Sequence, residues 1–167
     1  MILQTERLTL RRFTDVDVDT LASWLADPGF TRYLGGVRDR SGSEELYQRV
    51  EAHWAEHGFG PLAVADRETG ELIGRGGVAF HRSWPDNPEV GWWIVPARQG
   101  QGLATEGGAA AVAWGFGKLG FERLVSITLE ANLASRAVMA KLGFTLHERV
   151  PSEWGELWVH ALDRLGA

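Results

Sequence analysis

Hydrophobic positions along this 167-residue chain follow two periods. Alternation of apolar and charged residues, as in ERLTLRRF at 6–13, predicts half-buried strands, whereas recurrence every three to four residues predicts amphipathic helices. With the turn and capping signals, these patterns predict strands at 6–13, 61–66, 71–80, 89–95, 123–129, from 145 and at 156–162, and helices at about 14–27, at 43–58, from 103 and up to 141. The first six elements therefore follow the order βααβββ.

Composition is that of an ordinary globular protein, with 44% hydrophobic and 23% charged residues. The length predicts a single domain over residues 1–167. Neither a signal-peptide pattern nor a long apolar run occurs in the sequence, which favours a cytoplasmic protein without a membrane segment. The net charge of −5, without a basic cluster, argues against nucleic-acid binding and mildly favours a cationic partner.

Residue types exclude several kinds of chemistry. With no cysteine, the chain has no disulfides, no thiolate metal site and no cysteine nucleophile. His53 and His57 are one helical turn apart, but no metal-binding pattern surrounds them. Such a pair is more often at the surface or satisfied by hydrogen bonds than bound to a metal. We therefore expect no metal.

Residues 88–106, PEVGWWIVPARQGQGLATE, contain the most informative pattern in the chain. A β-rich run ends at Pro96, two closely spaced glycines follow, and strong helix formers begin at Leu103. Gly100 and Gly102 allow the backbone to turn sharply and to approach a ligand closely. The free N–H groups of a helix start, at the positive end of its dipole, form a site for phosphate oxygens.

Common phosphate motifs do not match this loop. No Gly-Lys-Ser or Gly-Lys-Thr follows the glycines, and Thr105 stands where the dinucleotide fingerprint requires Gly or Ala. The loop at 99–104, QGQGLA, does have the Gln/Arg-x-x-Gly-x-Gly/Ala form of the acetyl-CoA pyrophosphate loop of GNAT acyltransferases. Taken alone, the motif also fits a tight strand-to-helix turn that binds nothing.

Four motifs together resemble one branch of the GNAT family, the ribosomal-protein N-terminal alanine acetyltransferases of the Rim type. They are TERLTLR at 5–11, EVGWWI at 89–94, GQGLATE at 100–106, and NLAS at 132–135 followed by KLGF at 141–144. The resemblance implies an α+β, three-layer fold with a mixed, mostly antiparallel sheet of about seven strands and about four flanking helices. The sheet would be splayed between its fourth and fifth strands.

The resemblance also implies a position for acetyl-CoA, with its pantetheine arm in the splay. Backbone groups near Ile94 and Val95 would pair with that arm, and an N–H there would face the thioester oxygen. The pyrophosphate would be held by the N–H groups of a run comprising Gln99, Gly100, Gln101, Gly102, Leu103, Ala104 and Thr105. Asn132 would also reach the cofactor, although an Asn at this position is equally an ordinary helix N-cap.

The acid–base assignments are more open. An amine is largely protonated near neutral pH and must lose a proton before it attacks. Glu89 matches the position where this branch often carries a carboxylate that acts through water, or it is simply a solvated strand-end glutamate. Many GNAT enzymes have a tyrosine as general acid where this chain has Met139. Ser135 matches the hydroxyl used in the Rim-type branch, but it is also a common capping residue.

The acceptor pocket is the part that the sequence specifies least. Arg32, Tyr33, Trp84 and Trp92 could line it, yet core packing also explains the aromatic residues. We expect an N-acetyltransferase that transfers acetyl directly to a protein N-terminus or to a small-molecule amine. The alternative function is that of a non-catalytic sensor that binds acyl-CoA. Whether the protein forms a homodimer is left open by the sequence.

Overall fold

The computed structural model describes residues 2–81 and 84–164. Within these ranges the chain forms eight strands and four α-helices in an α+β fold. In chain order they are β1 (Leu3–Gln4), β2 (Leu8–Arg11), α1 (Val18–Leu25), α2 (Arg40–His57), β3 (Pro61–Asp66), β4 (Leu72–His81), β5 (Trp84–Ile94), α3 (Leu103–Gly117), β6 (Arg123–Leu129), α4 (Leu133–Lys141), β7 (Thr145–Ser152) and β8 (Gly155–Asp163).

All eight strands form one mixed sheet, in the order β1-β2-β3-β4-β5-β6-β8-β7. Every neighbouring pair is antiparallel except β5 and β6, which are parallel. The predicted fold is confirmed, and the eighth strand is the two-residue β1, too short to show alternation. The predicted fourth and fifth strands correspond to β5 and β6.

Two predicted boundaries are wrong. The second helix begins at Arg40 because Asp39 is its N-cap: the Asp39 carboxylate accepts the Gly42 N–H at 2.8 Å. The strands predicted at 71–80 and 89–95 are longer in the structure, because β4 extends to His81 and β5 begins at Trp84. A register shift after Phe80 lets the hairpin continue past prolines that cannot donate to the ladder.

Helix α3 packs on one face of the sheet through its glycines. A Cβ on Gly107 would lie 3.4 Å from Leu8, and one on Gly108 would lie 3.3 Å from the ring of Trp92. On the opposite face the next residue, Trp93, makes edge contacts with Trp24 of α1, with the ring centroids 5.8 Å apart. Consecutive residues of β5 therefore contact different layers of the fold.

The sequence KLGF occurs at 118–121 and at 141–144, and each copy ends a helix. Gly120 and Gly143 have φ of +75° and +89°, the left-handed conformation expected after a helix C-terminus. After each glycine the chain leads into a strand, β6 in one case and β7 in the other. The turn at Gly120 leads from α3 into β6, which lies beside β5, the strand that precedes α3.

Candidate active site

Strands β5 and β6 separate soon after they meet. Their described residues pair at a single position, Glu89 with Val125. One residue further on, the Ser126 hydroxyl donates to the Val90 carbonyl at 2.9 Å. Beyond this point the described parts of the two strands form no further backbone pair, so a gap opens toward their carboxyl ends.

The glycine loop connects the end of β5, beside this gap, to the start of α3. Gly100 and Gly102 have φ of +75° and +79°, a backbone conformation that favours glycine. Gly102 is the N-cap residue of α3, and within the described part of the chain no side chain caps this helix. The Glu106 N–H donates to the Gly102 carbonyl at 3.0 Å, which is the first bond of the helix. The N–H groups of residues 103–105 therefore have no partner within the helix and are available to an anion.

Backbone groups at the end of β5 differ in availability. The Val95 N–H donates to the Ile73 carbonyl at 2.9 Å, so this group belongs to the sheet. Since successive residues of a strand direct their backbone groups to opposite sides, the Ile94 N–H faces the gap. The Ile94 carbonyl accepts from the side-chain amide of Gln99 at 2.8 Å. Gln99 therefore ties the start of the glycine loop to the end of β5.

The start of α4 lies at the other side of the gap. The Asn132 side chain accepts the Ser135 N–H at 3.2 Å, which confirms that Asn132 is the N-cap. The Tyr33 hydroxyl donates to the carbonyl of the adjacent Ala131 at 3.2 Å. The fold thus brings Tyr33 together with Asn132 and Ser135, although they are about 100 positions apart in the chain.

Glu89 lies on the sheet face opposite α3, half-buried beside the point where the strands separate. Arg75 of β4 lies on the same face. The two side chains flank Gly91, at 3.9 Å and 4.0 Å from the position that a Cβ on this glycine would occupy. Both line a small cavity of about 10 Å³, which is room for about one water molecule. The Arg75 Nε is buried and has no hydrogen-bond partner among the described residues.

Burial raises the pKa of Glu89 above its ordinary value, while His81, Arg75 and a hydrogen bond from the Ile127 N–H oppose that rise. Burial also lowers the pKa of Arg75, which Glu89 opposes. The site therefore contains a carboxylate that takes up a proton more readily than one in water. This is the property required of a base that works near neutral pH.

Of the residues predicted for the acceptor pocket, Arg32, Tyr33 and Trp92 have described side chains, and these three do not form one cluster. Tyr33 lies at the mouth of the gap, and the exposed Arg32 packs over its ring at 5.2 Å. Trp92 faces α3, on the other side of the sheet from Glu89. The side chain of Trp84 lies outside the described residues.

Instead, Trp93 shares the face of Glu89. Its ring makes edge contacts with Phe30 at 5.3 Å and with Trp24. Sequence patterns did not identify Trp93 or Arg75, because both depend on strand register. Alternation along β5, counted forward from Glu89, places Trp93 on that face, whereas Arg75 is placed there by the register of β4 against β5.

Both ring nitrogens of His53 on α2 are satisfied by backbone groups. The His53 Nδ1 bonds the Phe59 carbonyl at 2.9 Å, and its Nε2 accepts the Phe80 N–H at 3.0 Å. Among residues 2–81 and 84–164, no group of three or more acidic, histidine or cysteine side chains is placed to hold a metal ion. No helix within the described ranges is both long and apolar enough to cross a membrane.

The chain is similar to known acetyltransferases. The family model of the acetyltransferase (GNAT) domain matches residues 7–145. The uncharacterized N-acetyltransferase YoaA of Bacillus subtilis (strain 168) is 30% identical over 147 residues, covering 86% of this chain and 82% of YoaA. The acetyltransferase of Agrobacterium tumefaciens str. C58 is 31% identical, with a TM-score of 0.87 over 97% of this chain and 94% of that chain.

A solved structure with bound ligands shares the fold. The spermidine N-acetyltransferase of Vibrio cholerae, in complex with CoA and spermine, superposes with a TM-score of 0.79 at 18% identity, over 95% of this chain and 96% of that chain. The predicted enzyme class and co-substrate are confirmed by the family match. The chain belongs to the GNAT family of acetyltransferases, which use acetyl-CoA as the acetyl donor.

Proposed function

We propose that acetyl-CoA binds with its pyrophosphate on residues 99–105 and its pantetheine arm in the gap between β5 and β6. One observation carries this proposal: the strands separate after the Glu89–Val125 pair, and the uncapped start of α3 lies at the open end of the gap. An anion at this helix start would take the N–H groups that lack a partner within the helix. Asn132, on the opposite side, would contact the pantetheine arm.

Within this site the Ile94 N–H is the candidate donor to the thioester oxygen. It faces the gap, whereas the Val95 N–H is bonded within the sheet. A backbone donor fixed by the sheet stabilises the negative charge that develops on the oxygen during attack, at little cost in reorganisation. Gln99 holds the Ile94 carbonyl and so helps to fix the orientation of this segment.

We assign the general base to Glu89, acting through a water molecule in the cavity shared with Arg75. An amine arrives largely protonated near neutral pH, so a base with a raised pKa is suited to accept its proton. After the amine attacks the carbonyl carbon, the C–S bond breaks and CoA leaves as the thiolate. Ser135, at the start of α4, is the candidate to return a proton to the sulfur.

The acceptor is a primary amine, either a small-molecule amine or a protein N-terminus as in the Rim-type branch. Support comes from the net charge of −5, from the Glu89 carboxylate on the sheet face opposite α3, and from the motifs shared with that branch. Mixing protein and acetyl-CoA with polyamines, aminoglycosides and peptides, while recording free thiol, identifies the acceptor. If none of these amines causes release of free thiol, the acceptor assignment is wrong.

Transfer is direct, in a complex of enzyme, acetyl-CoA and amine. Positioning can then supply a large part of the rate, since well-oriented reactants gain about 7–11 kcal/mol over free encounter. Initial-rate plots at several acetyl-CoA concentrations should intersect. Parallel lines, together with a transferable acetyl adduct on the protein, would instead indicate an acyl-enzyme, with Ser135 as the first residue to replace.

The cofactor position is tested by Gly102→Asp. The new carboxylate would stand where the pyrophosphate binds, so calorimetry should show CoA affinity reduced by at least about 100-fold. Gly70→Asp is the matched control, because Gly70 has φ of +74° and open space around it but lies in the β3–β4 hairpin. Equal CoA affinity of the two variants would overturn the assignment.

A further inference from the structure

The segment before β2 contacts the first turn of α3 through one carboxylate, that of Glu106. The Thr5 hydroxyl donates to Oε1 at 2.6 Å, and the Arg7 N–H donates to the same oxygen at 2.8 Å. The Arg7 guanidinium contacts Oε2 through Nε at 2.7 Å and through Nη2 at 2.6 Å. Four short contacts thus satisfy both oxygens of a single side chain.

Arg7 also contacts the loop itself. Its Nη1 donates to the Gln101 carbonyl at 3.0 Å, and its Nη2 lies 3.7 Å from the position of a Cβ on Gly102. The guanidinium therefore spans Gly102, holding the residue before it and the first helical turn after it. Since Gly102 has a backbone conformation open to few residues and no side chain caps α3, this contact fixes a turn that would otherwise have few restraints.

The charge balance of this contact matters for an anionic ligand. Glu106 is in the first turn of α3, next to the N–H groups proposed to bind the pyrophosphate. Partial burial favours its neutral form, but hydrogen bonds from Thr5 and Arg7 outweigh burial and lower the pKa of Glu106 below its ordinary value. Glu106 is thus ionised near neutral pH, and without Arg7 its charge would repel a phosphate.

We infer that Arg7, Thr5 and Glu106 form a lock that positions the glycine loop for the ADP part of acetyl-CoA. Arg7 and Glu106 are positioning residues: they hold the loop in its binding conformation and keep the charge beside it neutralised. The inference rests on the proposed pyrophosphate site. It assigns a function to the N-terminal segment, which is distant in sequence from the loop.

The lock is tested by comparing two acetyl donors. S-acetylpantetheine lacks the ADP part, so it cannot use the loop. Arg7→Gln should raise the Kd for CoA by about 10- to 100-fold and lower kcat/KM for acetyl-CoA to a similar extent, while kcat/KM for S-acetylpantetheine stays within about twofold of the wild-type value. Adding Glu106→Gln to Arg7→Gln should restore part of the CoA affinity, because the unneutralised charge is then removed.

Arg123→Gln is the matched control. Arg123 also forms a two-point pair with a carboxylate, at 2.6 Å and 2.9 Å from Asp163, but this pair lies at the start of β6 and the end of β8. If Arg7→Gln binds CoA as Arg123→Gln does, or loses activity equally with both donors, the lock is refuted.

Should Arg7→Gln fail to fold, Glu106→Gln alone provides the same donor comparison with a smaller expected loss. If Gly102→Asp weakens CoA binding but Arg7→Gln does not, the lock is refuted and the proposed pyrophosphate site stands. If Gly102→Asp leaves CoA affinity unchanged, the proposed site itself is refuted.

Discussion

The two ends of the proposed acetyl-CoA site are built on different physical principles. At the glycine loop, the groups offered to the ligand are backbone N–H groups, and side chains such as Arg7 and Gln99 hold the backbone in place. At the Glu89 end, the important groups are charged side chains in a partly buried space, where the Arg75 Nε has no partner among the residues that the structure describes. The loop is therefore suited to bind a fixed charge, and the Glu89 end is suited to move a proton.

This difference predicts that substitutions at the loop act on cofactor affinity and that substitutions near Glu89 act on the pH dependence of the rate. The largest effect is expected for Glu89→Gln. It keeps the size of the side chain but removes the base, so kcat/KM should fall about 10²- to 10⁴-fold near neutral pH. The loss should diminish at high pH, where the amine is already neutral.

The contrast between the glycine loop and the Glu89 end requires that Glu89→Gln leave CoA affinity unchanged in calorimetry. Glu148→Gln on β7 is the control, since it removes an exposed glutamate from another strand of the sheet. A variant at position 89 whose rate and pH profile match those of this control would mean that Glu89 is a surface carboxylate without a catalytic role.

Arg75→Gln gives the next largest effect. Arg75 opposes the rise in the pKa of Glu89 that burial causes, as do His81 and the Ile127 N–H. Loss of Arg75 should raise the pKa of Glu89 further, so the carboxylate form is lost at a higher pH as the solution is acidified. The acid limb of kcat/KM should therefore move to higher pH, with about a tenfold loss below the limb and little change at high pH.

Carbon-13 NMR of the glutamate carboxyl groups measures this pKa directly, whether or not Glu89 is the base. Arg75→Lys, which retains the charge, should keep the limb close to that of the wild type. His53 on α2 also interacts electrostatically with Arg75, so its titration is followed in the same samples. An unchanged Glu89 titration in Arg75→Gln would show that the two side chains are not coupled.

The contrast between the two ends also explains what the sequence could predict. The glycine loop, the cap at Asn132 and the fold follow from local signals, namely glycine spacing, capping residues and the order of elements. Arg75, Trp93 and the partners of Glu106 depend on which residues the sheet places side by side. Thr5 and Arg7 lie in one recognised motif and Glu106 in another, but nothing local indicates that the two motifs meet. Such contacts depend on strand register and helix packing, which a single sequence does not specify.

The smallest effect should come from Gly100→Ala, which separates the conformation of the loop from its contacts. Gly100 has φ of +75°, yet an added Cβ would meet no atom within 4 Å. The variant should therefore lose only about 1–2 kcal/mol in the free energy of unfolding, the ordinary cost of a left-handed non-glycine residue. Gly120→Ala, with the same φ and the same open space at the end of α3, should lose a similar amount of stability in denaturant titrations. Because Gly100 belongs to the proposed pyrophosphate loop and Gly120 does not, only Gly100→Ala should also weaken CoA binding, by a few-fold. Equal CoA affinity in both variants would mean that this glycine serves the turn alone, and that ligand binding begins at Gly102.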